Sequence, residues 1–522
     1  MAASDSRESR PGIGDSGSRP DGLGLGPVER STKGHSWGDC AICSQKLEAK
    51  TPLDAAPGWT KHSVFYQIFP DRFARSEQVP QPSNLQPWGA DPTRHGYMGG
   101  DLIGIAERLD YLADLGITAI YLNPIFTSAS NHRYHTDDYY TVDPLLGGNG
   151  ALDTLVDRCH AAGIRVVLDG VFNHVGRGFH QFHSIIEAEE ESPYLDWFTI
   201  DKLPLNPYGK GPSNYLAWWN LKPLPRLDTD NPEVREYIMQ VAEHWLRKGI
   251  DGWRLDVPEE ITADGFWEEF RERVRAVNPE AYVVGEIWDD SSEYIVGGTR
   301  FDATMNYLLT VDILSFAAGK RIDVTQVHPN RAYKEIKPIN AAAYAKRIDK
   351  TLARYPMETH LANLNLLESH DTPRLITTAS GDRDSLILST LLTMTFPGAP
   401  CVYYGSEVGV DGSFDPECRR AFPWDETTWD LELLAAHREL IALRHAHPAL
   451  RGPNYRTLSA DGRLYVFERT DEDERLVVAL NAGDQTAAAA ATGPLELLWG
   501  SGAVTDDTFT VPARSGAVWL HI

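Results

Sequence analysis

In the run Gly252-Trp253-Arg254-Leu255-Asp256 a cation stands two positions before a carboxylate. On a strand, residues two apart point to the same face, so Arg254 and Asp256 are expected to project together. A guanidinium within ion-pair reach lowers a carboxyl pKa by about one to three units. Asp256 is therefore expected to be ionised, the state a nucleophile needs. Val283-Val284-Gly285-Glu286-Ile287-Trp288 repeats the pattern, an apolar run ending in one carboxylate, and Leu367-Glu368-Ser369-His370-Asp371 closes a third. A single Asp after a strand is ordinarily a cap or turn residue. Three acids at equivalent places, with Arg254, His174 and His370 beside them, make a candidate pocket in which one carboxylate attacks and another handles a proton.

The elements that must position these groups follow from hydrophobic periodicity. From Trp59 onward, short apolar runs alternate with amphipathic stretches. Strands are expected at 64–69, 117–122, 164–168, around Arg254 and Asp256, and at 282–285, 301–307, 361–367 and 401–404. Helices are expected at 102–115 before Gly116, 152–162 before Gly163, from Asn231-Pro232 to Lys248, and at 431–445. Eight strand-then-helix units predict an α/β fold, a (β/α)8 TIM barrel, in which chemistry sits at the C-terminal ends of the strands. An open doubly wound sheet is the runner-up, but no glycine-rich phosphate loop follows the first strand. The stretch 175–230 lacks a long periodic helix and carries Phe179, Tyr194, Trp197, Phe198, Tyr208, Tyr215, Trp218 and Trp219. A loop of this length is usually functional or a small subdomain, here a wall of the cleft. Adjacent residues ordinarily diverge, so at most one of Trp218 and Trp219 is expected to face a ligand. From about Arg456 the pattern turns to short alternating runs, at 463–468, 475–480, 509–512 and 517–522, which predict a C-terminal β-sandwich. The expected division is a disordered tail at 1–57, the barrel at 58–174 and 231–450, an inserted subdomain at 175–230 and the sandwich at 451–522.

The chain has 522 residues and a formal net charge of −25. That excess opposes a nucleic-acid surface, which would be basic. No apolar run approaches the roughly 18 residues of a membrane span, and the N-terminal stretch lacks the apolar core of a secretory signal. The expected location is cytoplasmic, with no nucleic-acid or membrane partner. The cysteines, Cys40, Cys43, Cys159, Cys401 and Cys418, are few and odd in number, which suits a reducing compartment. Cys40 and Cys43 form a lone CxxC without a second ligand pair.

Taken in order, Asp169-Gly170-Val171-Phe172-Asn173-His174, Gly252-Trp253-Arg254-Leu255-Asp256, Gly285-Glu286-Ile287-Trp288 and Ser369-His370-Asp371-Thr372-Pro373-Arg374 resemble the α-amylase family, glycoside hydrolase family 13. The resemblance runs from about Trp59 to Ile522. Together with Leu224-Pro225-Arg226-Leu227-Asp228 it is nearest to the neopullulanase, cyclomaltodextrinase and maltogenic amylase group. It implies that Asp256 is the nucleophile, Glu286 the general acid/base and Asp371 the carboxylate that stabilises the transition state. It also implies that Tyr134, His174, Arg254, His370 and Trp288 contact the sugar, Tyr134 by stacking. The implied activity is retaining hydrolysis of α-1,4, and with it α-1,6, glucosidic bonds in maltooligosaccharides, cyclodextrins or related α-glucans. Retaining enzymes hold their two carboxyls about 5–5.5 Å apart, and Glu286 is expected to be kept protonated by its anionic neighbours. Asp169 is expected to brace Arg254 or backbone.

This sequence departs from that group in three places. Where relatives carry an Asn/Asp-rich calcium loop after the first strand, it reads Ala74-Arg75-Ser76-Glu77-Gln78-Val79-Pro80, followed later by Gly100-Asp101. Calcium takes six to eight oxygens, so no cofactor or metal is called for, with Asn173 the one calcium candidate. No folded domain is expected before the barrel, which leaves monomer and homodimer both open. Glu259 stands where relatives carry Asn, on the leaving-group side. Alternatives to hydrolysis are a transglycosylase of the same family and a non-catalytic amylase-like binding protein, which would lack one of the three acids. A metal-dependent barrel hydrolase would need a His-rich ligand set at the strand ends, and none is present.

Overall fold

The computed structural model describes residues 56–327, 333–491, 493–505 and 507–522. Most of the expected tail, with Cys40 and Cys43, lies outside them. Eight short parallel strands form one sheet: β1 (Phe65–Ile68), β2 (Ala119–Leu122), β5 (Arg165–Gly170), β6 (Gly252–Leu255), β7 (Tyr282–Gly285), β8 (Ala303–Thr304), β9 (Leu364–Leu366) and β10 (Ala399–Tyr403). Their spatial order is β8-β7-β6-β5-β2-β1-β10-β9. A parallel bridge from Met305 to Leu364 joins the two ends and closes the barrel.

Strand alternation explains both cores. Ile68, Ile120, Leu122, Val166, Leu168, Trp253 and Val283 pack outward under the helices. Phe65, Ala119, Tyr121, Val167, Tyr282, Val284, Ala303, Met305, Leu364, Leu366, Ala399 and Cys401 fill the barrel interior. Continued two residues at a time towards the C-terminal ends, the inward register becomes polar: Gln67, Asn123, Asp169, Arg254 and Glu286, all buried. A polar layer thus caps the apolar ones at the face where the fold exposes its loops. Gly252 makes one approach in this layer feasible, since a Cβ there would lie 2.2 Å from the Tyr282 carbonyl oxygen. Any side chain would push β6 off β7, and with it Arg254 away from Glu286.

The helices mostly follow the expected spans. Asn231 caps Pro232–Arg247 by accepting from Glu233 N–H, as the Asn-Pro pair foretold. Gly116 ends its helix at φ 88°, a conformation that favours glycine. The stretch expected as one helix at 102–115 is two, Leu102–Glu107 and Leu109–Leu115, because Arg108 leaves helical geometry at φ −109°, ψ 13°. The sixth strand keeps only two residues because Asn306 instead caps the helix Tyr307–Ala317, accepting from Leu309 N–H.

Between β2 and β5 a hairpin, β3 (Phe126–Ser128) with β4 (Thr136–Val142), carries the loop with Tyr134. After β5 the segment 175–230 holds the helix His180–Ala188 and short turns, tied back by a bridge between His174 and Arg226. Beyond the helix Leu431–Ala446 come β11 (Asn454–Asp461), β12 (Leu464–Thr470), β13 (Arg475–Asn481), β14 (Ala487–Ala490), β15 (Leu495–Gly500), β16 (Ala503–Thr505), β17 (Thr508–Val511) and β18 (Ser515–His521). They make two antiparallel sheets, β11-β12-β13-β18-β15 and β14-β17-β16. Val466, Val477, Phe509, Val511 and Trp519 fill the space between them. Periodicity missed β11, β14, β15 and β16, strands with no fully buried face. Arg514 Nη1 donates to Ala317 O at 2.8 Å, seating this sandwich against the barrel. Among the described residues no helix is long and apolar enough to cross a membrane.

Candidate active site

Arg254 is the hub of the polar layer. Its Nη1 donates to Asp169 Oδ1 and Oδ2 at 2.8 and 3.0 Å and to Asp256 Oδ1 at 3.2 Å. Its Nη2 lies 2.6 Å from Glu286 Oε1, an ion pair by distance. Asp256 and Glu286 are thus no further apart than two close contacts and the width of one guanidinium. Asp169 also accepts from Tyr121 Oη and Tyr134 Oη, each at 2.8 Å. Its place is that of a brace: it holds Arg254 while two phenols hold it.

A cavity of about 520 Å³ opens above this layer. Asp256, Asp371, Tyr134, His174 and His370 line it, as do Trp218 and Arg419. Glu286 and Arg254 lie just beneath, Glu286 at 2 % exposure. Asp256 Oδ2 and His174 Nε2 are buried and have no hydrogen-bond partner. Buried polar atoms are ordinarily satisfied, so these two mark where a ligand's hydroxyls and reacting carbon would sit. Trp288 stands apart: its ring stacks on Tyr307 at 3.8 Å and 8°. It packs against the barrel core and is not among the cavity-lining residues.

His370 is held in one tautomer. Its Nδ1 faces two amide donors, Gln67 Nε2 at 2.9 Å and Asn123 Nδ2 at 3.1 Å. Nδ1 must accept, so the proton is on Nε2. Nε2–H then points to Tyr134 Oη at 2.7 Å and Asp371 Oδ2 at 3.0 Å. The Tyr134 and His370 rings stack at 5.3 Å and 4°. Burial pushes His174 down to about 3 and His370 well below its ordinary value, so both rings are neutral near pH 7.

The electrostatics correct one expectation. Arg254 does pull Asp256 towards ionisation, but burial outweighs it, and Asp169 and Asp371 add repulsion. The net movement of Asp256 is upward, to about 8, not downward. Glu286 rises well above its ordinary value, through burial first and then through Asp256, Asp371 and Asp169, with Arg254 opposing. Two carboxyls on one guanidinium titrate as a pair. Burial resists charge on both, the first charge falls on Asp256, and Glu286 is the stronger holder of the proton.

Arg419 was missed from sequence. Its Nη2 lies 3.1 Å from Asp371 Oδ1, its Nη1 3.0 Å from Asp415 Oδ1, and its Nε donates to His370 O at 2.9 Å. The signal was present as a charged cluster, Asp415-Pro416-Glu417-Cys418-Arg419-Arg420, just past the eighth strand. Gln67 and Asn123 were missed because their inward direction depends on strand register. Beside the 74–80 stretch, both Asp101 oxygens are taken by the fold, Oδ1 by Gly104 N–H and Oδ2 by Ser76 N–H.

Residues 67–436 match the α-amylase catalytic-domain family. The chain is 42% identical over 437 residues to a cyclomaltodextrinase from a Bacillus species, covering 82% of this chain and 75% of the relative. It is 40% identical over 441 residues to neopullulanase 2 of Thermoactinomyces vulgaris, covering 83% and 71%. Among solved structures, the native debranching enzyme of Nostoc punctiforme superposes with a TM-score of 0.83 at 52% identity, covering 89% of this chain and 99% of that one.

Proposed function

The chain belongs to the α-amylase family and is a glycosidase of α-glucans; from that premise we propose that it hydrolyses α-1,4-linked maltooligosaccharides and cyclodextrins with retention at the anomeric carbon. One observation carries the proposal: a single buried guanidinium, Arg254, touches both Asp256 and Glu286 beneath a cavity that Asp256 and Asp371 line. Asp256 attacks the anomeric carbon as Glu286 gives its proton to the departing oxygen, and a glucosyl ester forms on Asp256. Glu286, now ionised, takes a proton from water, whose oxygen attacks the same carbon and frees Asp256. Two inversions leave the configuration unchanged. Asp371 faces the positive charge that grows on the ring between these states. His174 and His370, both neutral, serve as hydrogen-bond partners to ring hydroxyls, and Tyr134 serves as the face on which the ring stacks. No cofactor enters either step. Trp288 has no part in this scheme at the cleavage point; its stacking on Tyr307 supports a packing role.

The relatives named for cyclodextrin and pullulan, and the debranching enzyme, support the same substrate range with α-1,6 bonds included. The sparse, odd number of cysteines supports a cytoplasmic enzyme. Purified protein with maltotriose, cyclodextrin and pullulan, products resolved and anomers followed by NMR, tests this. Retained α-configuration is expected. Early β-product would overturn the retaining scheme, and early longer oligosaccharides would favour transfer over hydrolysis.

A further inference from the structure

Three aromatic rings from two segments form one column. His174, just past β5, stacks on Trp218 at 4.9 Å and 11°, and Trp218 stacks on Trp219 at 4.5 Å and 16°. Neighbouring side chains on an extended segment point apart, and the expectation that these two tryptophans diverge fails here. The reason is local: Trp219 sits at φ 50°, ψ 28°, a left-handed conformation that bulky residues avoid. Asn220 follows at φ 57°. Such a backbone is costly and persists where surroundings or function demand it.

Packing accounts for the lower part of the column only. His174 is buried and Trp218 half-buried, and both line the cavity. Trp219 is 72% exposed, so its strained backbone gains little burial in return. Leu221, also exposed, continues the same rim and lines the cavity mouth. The column itself leaves a polar atom over besides His174 Nε2: Trp218 Nε1 is buried and has no hydrogen-bond partner. A flat apolar face in solvent, stacked on a cavity-lining indole with an unused N–H donor, is the pattern of a site for a ring with apolar faces and hydroxyl edges.

We propose that Trp219 and Trp218 form a platform for a glucose unit remote from the bond being cut. The pyranose C–H face stacks on the outer face of the Trp219 indole, and a hydroxyl of the next unit inward accepts from Trp218 Nε1. The column ties this outer position to His174, so a chain long enough to reach both is held in register with Asp256. This rests on the α-glucan reading above, and it predicts selection for longer or cyclic glucans over short ones.

The test compares kcat/KM on maltohexaose and maltotriose for wild type, Trp219→Ala and Trp219→Phe. A stacking contact of this kind is worth about 0.5–1.5 kcal/mol, so the hexaose-to-triose ratio falls about two- to tenfold in the alanine variant. Phenylalanine, still flat, restores most of it. A ratio that stays at the wild-type value in Trp219→Ala, or an equal loss on both substrates, overturns the platform. A separate binding arm uses Asp256→Asn and Asp256→Asn/Trp219→Ala with maltohexaose in a calorimeter. If wild type hydrolyses neither sugar, the enzymatic reading falls while this arm still decides the platform, which is lost if the two affinities are equal.

Discussion

Replacing Asp256 by Asn separates chemistry from stability. Asp256 is 8% exposed, and burial moves its carboxyl from 3.8 to about 8 against the pull of Arg254. A carboxyl that holds its proton more tightly folded than unfolded favours folding below its unfolded pKa. That contribution is lost as pH rises from about 4 towards 8, because the unfolded chain then binds fewer protons than the native one. Each unit corresponds to about 1.4 kcal/mol, so by pH 7.5 the penalty has a ceiling of about 5 kcal/mol. Asparagine keeps the shape without titrating, but it gives up a charge-assisted hydrogen bond from Arg254 worth about 1.5–3 kcal/mol. The Asp256→Asn variant is therefore expected to be more stable than wild type at pH 7.5, by at most about 2–3.5 kcal/mol, the difference between those two effects. Near pH 4 the advantage disappears or reverses. Unfolding of a chain this large need not be two-state, so the comparison is of Tm at matched scan rate, pH by pH, where the gap amounts to a few degrees. Turnover of maltotriose falls by more than about 10⁴-fold, as when other nucleophiles are removed. A Tm difference that is flat from pH 4 to 8, or largest in acid, would refute the burial reasoning. Near-normal turnover would refute the assignment of Asp256.

Since Asp256 and Glu286 share one guanidinium and burial resists charge on both, kcat/KM against pH should be bell-shaped. Its acid limb should lie above the ordinary aspartate range, and a limb below pH 4 would contradict the shifts. Arg254→Lys places a point charge where a fork met three carboxylates. Loss of a buried partner costs about 3–5 kcal/mol, so a Tm equal to that of wild type at matched scan rate would show that Arg254 is not the hub. Gln67→Glu and Asn123→Asp each set a carboxylate against His370 Nδ1 and should move its proton there, visible in 15N shifts. The accompanying loss in kcat/KM should be about 10- to 100-fold, comparable to losing an outer-shell partner, while an unmoved tautomer would refute the amide clamp. Dialysis against EDTA should leave activity in place, and loss restored by calcium would show that the scheme lacks a metal.

Much of this protein is legible in one dimension, because it depends on local periodicity and short motifs. Eight apolar runs located the barrel strands to within a few residues. The Gly252-to-Asp256 run placed Arg254 beside Asp256, since the two-residue repeat of a strand needs no long-range information. Asn231-Pro232 and Gly116 marked helix ends through their own backbone chemistry. Other features depend on what lies across the barrel. The ion pair between Arg254 and Glu286 exists because β6 and β7 run side by side, with Gly252 permitting the approach. Arg419 reaches Asp371 from a loop 48 positions away. Gln67 and Asn123 look unremarkable in sequence and become a clamp on His370 only once three strand ends converge. The Trp218 and Trp219 column ran against the local rule, because a left-handed turn at Trp219 overrode it.

What the sequence determined by itself was the list of chemical groups and the elements carrying them. What the tertiary structure alone decided was the sign of the field acting on those groups. An arginine next to an aspartate argues for a lowered pKa, yet enclosing Asp256 raises it. Desolvation sums over every atom that displaces water around a charge, and most of those atoms are far away along the chain.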